Sequence, residues 1–252
     1  MKPDFNVSRT SIASLIIVLL SGCLAPPEIE EHRAFIASEV VNSPAIQGGL
    51  IAQENFELYY RATGSAEMAV AVWVHGTPGG WASGGRLLVN EEFTRQVLFA
   101  SIDRPGWGRS QFIDAPQLVT SYAEQAKLIV PLLKKLKADN PGKPLILVGH
   151  SLGGSIIPVI AADFPELVNG LLIVSAGLDP ELTLPRWYNR VARNRLINGA
   201  IGERMQAANV EMYSLAPELE KLSRRWTELK MPIIVVQGDE DELVNPANAD
   251  YA

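Results

Sequence analysis

Gly149-His150-Ser151-Leu152-Gly153 is a G-x-S-x-G pentapeptide, and Ser151 at its centre is a candidate nucleophile. The apolar run 145–148 precedes it and a helix-patterned segment, 152–163, follows it. That strand–turn–helix setting separates a catalytic serine from a chance serine between glycines. The turn strains the serine, and small residues two before and two after it relieve crowding. Ser151 Oγ would then stand above a sheet edge beside a helix N-terminus, where developing negative charge is favoured. The backbone N–H of Leu152, directly after the serine, is one expected oxyanion donor. A phosphate-binding loop is excluded as the alternative, because no G-x-x-x-x-G-K-[ST] occurs and no lysine follows these glycines.

The elements that must hold this turn are legible as alternating patterns. Short apolar runs at 56–61, 69–74, 96–102, 145–148, 171–174 and 233–236 read as strands, most of them buried on both faces. Between them, Ser121 and Glu124 form a Ser-x-x-Glu capping box ahead of Leu128, Ile129, Leu132, Leu133 and Leu136 at helical spacing, with Pro131 expected to kink that helix. A second helix over 152–163 stops near Pro165, and Pro217 is placed at the first position of a third, with Leu219, Leu222 and Trp226 on one face. Strand and helix in alternation predict an α/β fold, a mostly parallel sheet with helices on both faces. Ligands in such sheets bind at the carboxyl ends of strands.

Three blocks, HGTPGG at 75–80, DRPGWGRS at 103–110 and GHSLGG at 149–154, together with QGDEDELVNP at 237–246, resemble the α/β-hydrolase family in content and order. The resemblance runs from about Phe56 to the end of the sequence. It implies the α/β-hydrolase fold, a serine, acid, histidine triad in that chain order, and a second oxyanion donor at the backbone N–H of Thr77. It also implies that His75 is structural and that Asp103-Arg104 orders a loop, as buried paired charges commonly do. His150 abuts the serine in sequence but is expected to point away from it, and geometry must decide whether a histidine is a base.

After the run 233–236 come four acids, Asp239 to Glu242 by number 239–242, which on composition alone are a solvated loop. The family pattern G-x-x-D-x-x-V falls on Gly238, Asp241 and Val244, so the resemblance makes Asp241 the acid, with Asp239 and Asp179 as alternatives. The acid would orient a histidine and stabilise its charged form. No histidine follows Asp241. A further strand, helix and connections would normally take about 25–40 residues. The expectation is a C-terminally truncated chain whose last strand and helix are missing. Its catalytic histidine is expected to be absent, and 233–236 to form an exposed apolar edge.

Residues 1–22 read as a lipoprotein signal: Lys2 and Arg9, an apolar run over 11–20 too short to span a bilayer, then Leu20-Ser21-Gly22-Cys23. This end resembles the lipobox of bacterial lipoproteins, with Cys23 lipidated. It implies a bacterial envelope location, and Leu24 leans toward the outer membrane. Residues 23–50 are expected to be a tether and entry segment that ends in an entry strand, 51–252 the hydrolase domain, and 177–230 a small helical cap. The cap carries Arg186, Arg190, Arg193, Arg195 and Arg204, most simply as a solvated face. Trp81 and Trp107 are open between lining an acyl pocket and core.

A net charge of −6 without a basic stripe excludes a nucleic-acid footprint. One cysteine and three scattered histidines exclude an internal disulfide and make a metal cluster unexpected, and no cofactor is implied. The expected partners are a small-molecule acyl substrate and a membrane, the latter through the lipid anchor. The expected function is hydrolysis of an ester-type substrate through an acyl-enzyme, in the manner of a carboxylesterase. Within enzymes, a thioesterase, an aminopeptidase-like hydrolase and a cofactor-free perhydrolase are the alternatives. Serine in place of a carboxylate argues against dehalogenases and epoxide hydrolases. From another class, the chain would be a catalytically dead envelope lipoprotein that binds a ligand or partner.

Overall fold

The computed structural model describes Glu31 and residues 34–251. Cys23, His32 and residues 1–22, for which an export signal is the expectation, lie outside the described residues. The chain divides into two compact units, Met1–Asn42 and Ser43–Ala252. The described part of the first contains a short π-helical segment, Ile36–Val40.

The second unit is built on an eight-stranded sheet. Its strands are β1 (Gln47–Ala52), β2 (Phe56–Thr63), β3 (Ala69–Val74), β4 (Val97–Ile102), β5 (Gln111–Phe112), β6 (Leu145–His150), β7 (Gly170–Val174) and β8 (Ile233–Val236). The order across the sheet is β1-β2-β4-β3-β6-β7-β8, with β5 paired to β2. β1, β2 and β5 are antiparallel additions, and β4, β3, β6, β7 and β8 run parallel. The six apolar runs therefore become strands, and two strands escape the pattern. β1 is Gly-rich and mostly exposed, and β5 has only two residues. Because β1 pairs with β2 from Gln47 onward, the sheet begins upstream of residue 51.

The helices are α1 (Gly85–Leu88), α2 (Glu91–Thr94), α3 (Tyr122–Asp139), α4 (Leu152–Asp163), α5 (Trp187–Ala192), α6 (Arg195–Ala200) and α7 (Glu203–Ser223). Ser121 Oγ accepts the N–H of Glu124 at 3.4 Å, which caps α3 as its sequence implied. Ile129, Leu132, Leu133 and Leu136 bury one side of α3 in the core. Helix α4 is buried along nearly its whole length; it packs on the parallel strands β3, β6 and β7 and on α3, which itself reaches β2. A helix apolar all round belongs inside a protein.

Pro217 corrects the sequence reading. It lies inside the 21-residue α7 rather than at the start of a helix. The apolar stripe of Ala208, Leu215, Leu219 and Leu222 is continuous through it, and tertiary burial outweighs the one hydrogen bond that proline removes. With the 3-10 turns Glu181–Thr183 and Trp226–Glu228, helices α5 to α7 form an all-helical cap. At the far edge of the sheet, β8 exposes 61% of Ile234 and 50% of Val236, the apolar edge expected for this run.

Candidate active site

Ser151 sits between β6 and α4 with φ 51° and ψ −127°, in the left-handed region that side chains avoid. Backbone bonds fix this turn: Ser151 N–H donates to Val174 O at 2.9 Å, and Gly154 N–H donates to Ser151 O at 2.9 Å. The space around it admits no side chains. A Cβ on Gly153 would fall on Val74 O, and one on Gly154 would stand 2.5 Å from Ala176 Cβ. A Cβ on Gly76 would be 2.7 Å from Ser151 Cβ. The glycines of HGTPGG and GHSLGG thus bring the 76–77 backbone against the serine.

Thr77, Ser151 and Leu152 line one cavity of about 470 Å³. Among the described residues, neither the Thr77 nor the Leu152 amide donates to another protein group. Both amides thus stay without a protein acceptor at residues that line the same cavity as Ser151. The rest of the cavity is mainly apolar, with Leu182, Met205, Met212, Leu215 and Val244 among its walls. Trp81 and Trp107 do not line it. Trp107 is buried and donates to Glu211 Oε1 at 3.0 Å, and Trp81 packs edge-on to Tyr59.

Asp241 is held by its own loop. Its Oδ1 accepts the N–H groups of Leu243 and Val244, each at 2.9 Å, and its Oδ2 accepts Gln237 Nε2 at 3.0 Å. The Val244 bond leads in holding this carboxyl below its ordinary range; partial burial opposes, and Leu243, Gln237 and Ser175 reinforce. The alternatives are less engaged at this end of the sheet. Asp239 is exposed, and Asp179 Oδ1 only accepts its neighbour Glu181 N–H at 2.8 Å.

The two described histidines do other work. His75 is fully buried; its Nε2 accepts Arg104 N–H at 2.9 Å, so its Nδ1 carries the proton and meets Gly76 O at 2.6 Å. Burial, then the Arg104 charge, push its pKa well down and keep it neutral. The His150 ring stacks on Trp73, with centroids 6.0 Å apart. Burial lowers its pKa against the pull of Asp241. Among the described residues no histidine is hydrogen-bonded to Ser151.

Asp103 and Arg104 order loops, but not by pairing with each other. Asp103 accepts Trp81 N–H at 2.8 Å and Arg109 N–H at 2.9 Å. Burial raises its pKa, and these two bonds pull it back. Arg104, with no exposed surface, forks onto Glu211 of α7 at 2.8 and 2.9 Å and also donates to His75 O and Gly76 O. The cap helix is thereby clamped to the backbone beside Ser151. Glu211 was not singled out from the sequence. The available signal was its place on the apolar stripe of α7, four residues before Leu215. Asn248, equally unforeseen, is fully buried and accepts Leu178 and Asp179 N–H at 2.7 and 3.0 Å.

Residues 71–251 match the model of the alpha/beta hydrolase family, and the chain belongs to that family. It is 23% identical to human monoglyceride lipase over 224 residues, covering 76% of this chain and 71% of that protein. It is 26% identical to mouse epoxide hydrolase 4 over 125 residues, half of this chain but a third of that protein's length (33%). Among solved structures, Cfl2 from Burkholderia cenocepacia shares the fold with a TM-score of 0.65 at 17% identity, covering 83% of this chain and 86% of that one. Its relatives thus include proteins named as lipases and as an epoxide hydrolase, and the chain spans a third of the length of the latter.

Proposed function

We propose that this hydrolase cleaves carboxylic esters with an apolar acyl chain, through an acyl-enzyme on Ser151. The observation that carries the reading is a strained serine facing a 470 Å³ mainly apolar cavity beside two free amides. Cavities of this size and lining suit small apolar ligands. In the proposed cycle Ser151 Oγ attacks the acyl carbonyl, and the Leu152 and Thr77 N–H groups take the oxyanion. The tetrahedral intermediate expels the alcohol, which receives the proton that a base took from Ser151. Water then attacks the acyl carbon and gives one of its own protons to the base; the second tetrahedral intermediate expels Ser151 Oγ, which takes that proton from the base, and the carboxylic acid leaves. Asp241, held ionised by its loop, is the group to orient such a base. His75 is unsuited to that role, since its Nε2 already accepts Arg104 N–H.

Serine at the elbow favours an ester over an epoxide, whose covalent intermediate needs a carboxylate nucleophile. The relationship to monoglyceride lipase supports the same substrate class. A second reading, a lipoprotein that binds a ligand without turning it over, is favoured by the lack of a histidine hydrogen-bonded to Ser151 among the described residues. Prolonged incubation with a fluorophosphonate, with imidazole as external base, tests the first. One adduct on Ser151, lost in Ser151→Ala, is expected. An adduct that survives that substitution overturns the assignment.

A further inference from the structure

Half of the large exposed apolar side chains in the described residues fall within residues 182–210. Leu184 is 63% exposed, Trp187 63% and Leu196 84%, and across the opening Leu243 is 78% exposed. These are not scattered. Leu184, Tyr188 and Leu243 are at once exposed and part of the cavity wall, so they form its rim. The Trp187 ring meets Tyr188 edge-on at 5.9 Å, and Arg186 donates to Leu243 O at 2.9 Å, which ties the two sides of the rim together. An exposed apolar rim of Leu184, Tyr188 and Leu243, with Trp187 against Tyr188, marks a surface meant to be covered, and Leu196 adds a further exposed side chain on the same cap.

The charge of this segment says by what. The chain carries a net charge of −6. Residues 184–202 nevertheless hold Arg186, Arg190, Arg193 and Arg195 and no acidic residue. All four arginines are exposed, and none forms an ion pair with another described residue. Arg186 is held by Leu243 O and Arg193 lies over the Tyr213 ring at 4.8 Å, which leaves Arg190 and Arg195. Aromatic and aliphatic side chains interleaved with arginine suit the boundary between anionic headgroups and acyl chains: the rings and leucines enter the boundary, and the Arg190 and Arg195 guanidiniums take phosphate oxygens.

We propose that the rim face of the cap docks on an anionic lipid surface and sets the cavity mouth against it. An ester with an apolar chain would then enter from the bilayer without crossing water. The docking itself needs neither Ser151 nor turnover, so it stands or falls apart from the catalytic reading.

The test uses the full chain carrying Cys23→Ser, so that no acyl chain can be attached, sedimented with vesicles of phosphatidylcholine alone or mixed with phosphatidylglycerol. Two cap variants are compared in that same background, Trp187→Ser with Leu196→Ser, and Arg190→Glu with Arg195→Glu; none of these four residues lines the cavity. Binding to the anionic vesicles is expected to exceed binding to the neutral ones and to weaken with salt. Each double variant should reduce it about tenfold or more, at unchanged urea midpoint and unchanged fluorophosphonate labelling. Ser151→Ala should bind as the parent does. Equal sedimentation of parent and both variants overturns the proposal. So does a parent that forms a dimer dissolved by Trp187→Ser with Leu196→Ser while vesicle binding is unaffected, since the patch would then belong to a second copy.

Discussion

Around Ser151 the chain has no room for a methyl group, whereas at Gly238, in the loop that carries Asp241, it has. A Cβ on Gly153 would fall on Val74 O, while one on Gly238 meets nothing nearer than Asp241 Cβ at 3.9 Å. The serine half is assembled from backbone: an elbow, two free amides and carbonyls held by a buried arginine. The acid half is one half-exposed carboxylate on a loop after an edge strand. Both halves lie at carboxyl ends of parallel strands, yet only the first is locked by close packing. Stored backbone strain such as that at Ser151 persists only where the surroundings over-determine it. The serine half should therefore resist change and fail abruptly when changed, and the acid half should tolerate substitution.

The largest effect is expected at the clamp behind the serine. Glu211→Leu leaves the Arg104 charge buried and unpaired, and should lower stability by about 3–5 kcal/mol in urea denaturation. Arg104→Met added to Glu211→Leu should return much of that loss, because the two positions act as one unit. An additive double variant would mean that the ion pair does not join cap to core. Next, Gly153→Ala should cost about 3 kcal/mol by overpacking against Val74 O, while Gly238→Ala should stay within about 0.5 kcal/mol. Equal midpoint shifts would erase the contrast between the halves.

The smallest effect concerns Asp241 and pH. Its folded pKa lies below the ordinary value because Val244 N–H leads a set of donors to the carboxylate. Its contribution to stability is thus present above the ordinary aspartate value, about 3.9, and is lost as pH falls through the folded value. The melting-temperature gap between the parent and Asp241→Asn should be small at neutral pH and should close below about pH 4. A gap that widens on acidification would give the shift the opposite sign.

Much of the serine half was legible because its determinants are local. The G-x-S-x-G turn, the apolar strand before it and the helix after it sit within twenty residues, and their patterns carry the geometry. Asp241 was legible by its place after a strand, and its donors Leu243 and Val244 are its near neighbours. The missing pieces are long-range. Glu211 meets Arg104 across 107 positions, and Asn248 closes on Leu178 across 70. Such pairings leave no spacing to read, only a polar residue on an otherwise buried stripe. The entry strand was legible but its bounds were not, because Gly48 and Gly49 of β1 dilute the alternation that marks a strand.

Ester turnover tests the division between a prepared serine half and an acid half that has no histidine hydrogen-bonded to Ser151 among the described residues. The 252-residue chain is to be assayed on a p-nitrophenyl ester with and without imidazole, and the rate of Ser151→Ala subtracted at each concentration to remove solution catalysis. A Ser151-dependent rate near zero without imidazole is expected, rising at least about tenfold with it, since a positioned base contributes on the order of a hundredfold or more. Robust Ser151-dependent turnover that imidazole leaves unchanged would contradict this division and assign the base to a histidine already in the chain.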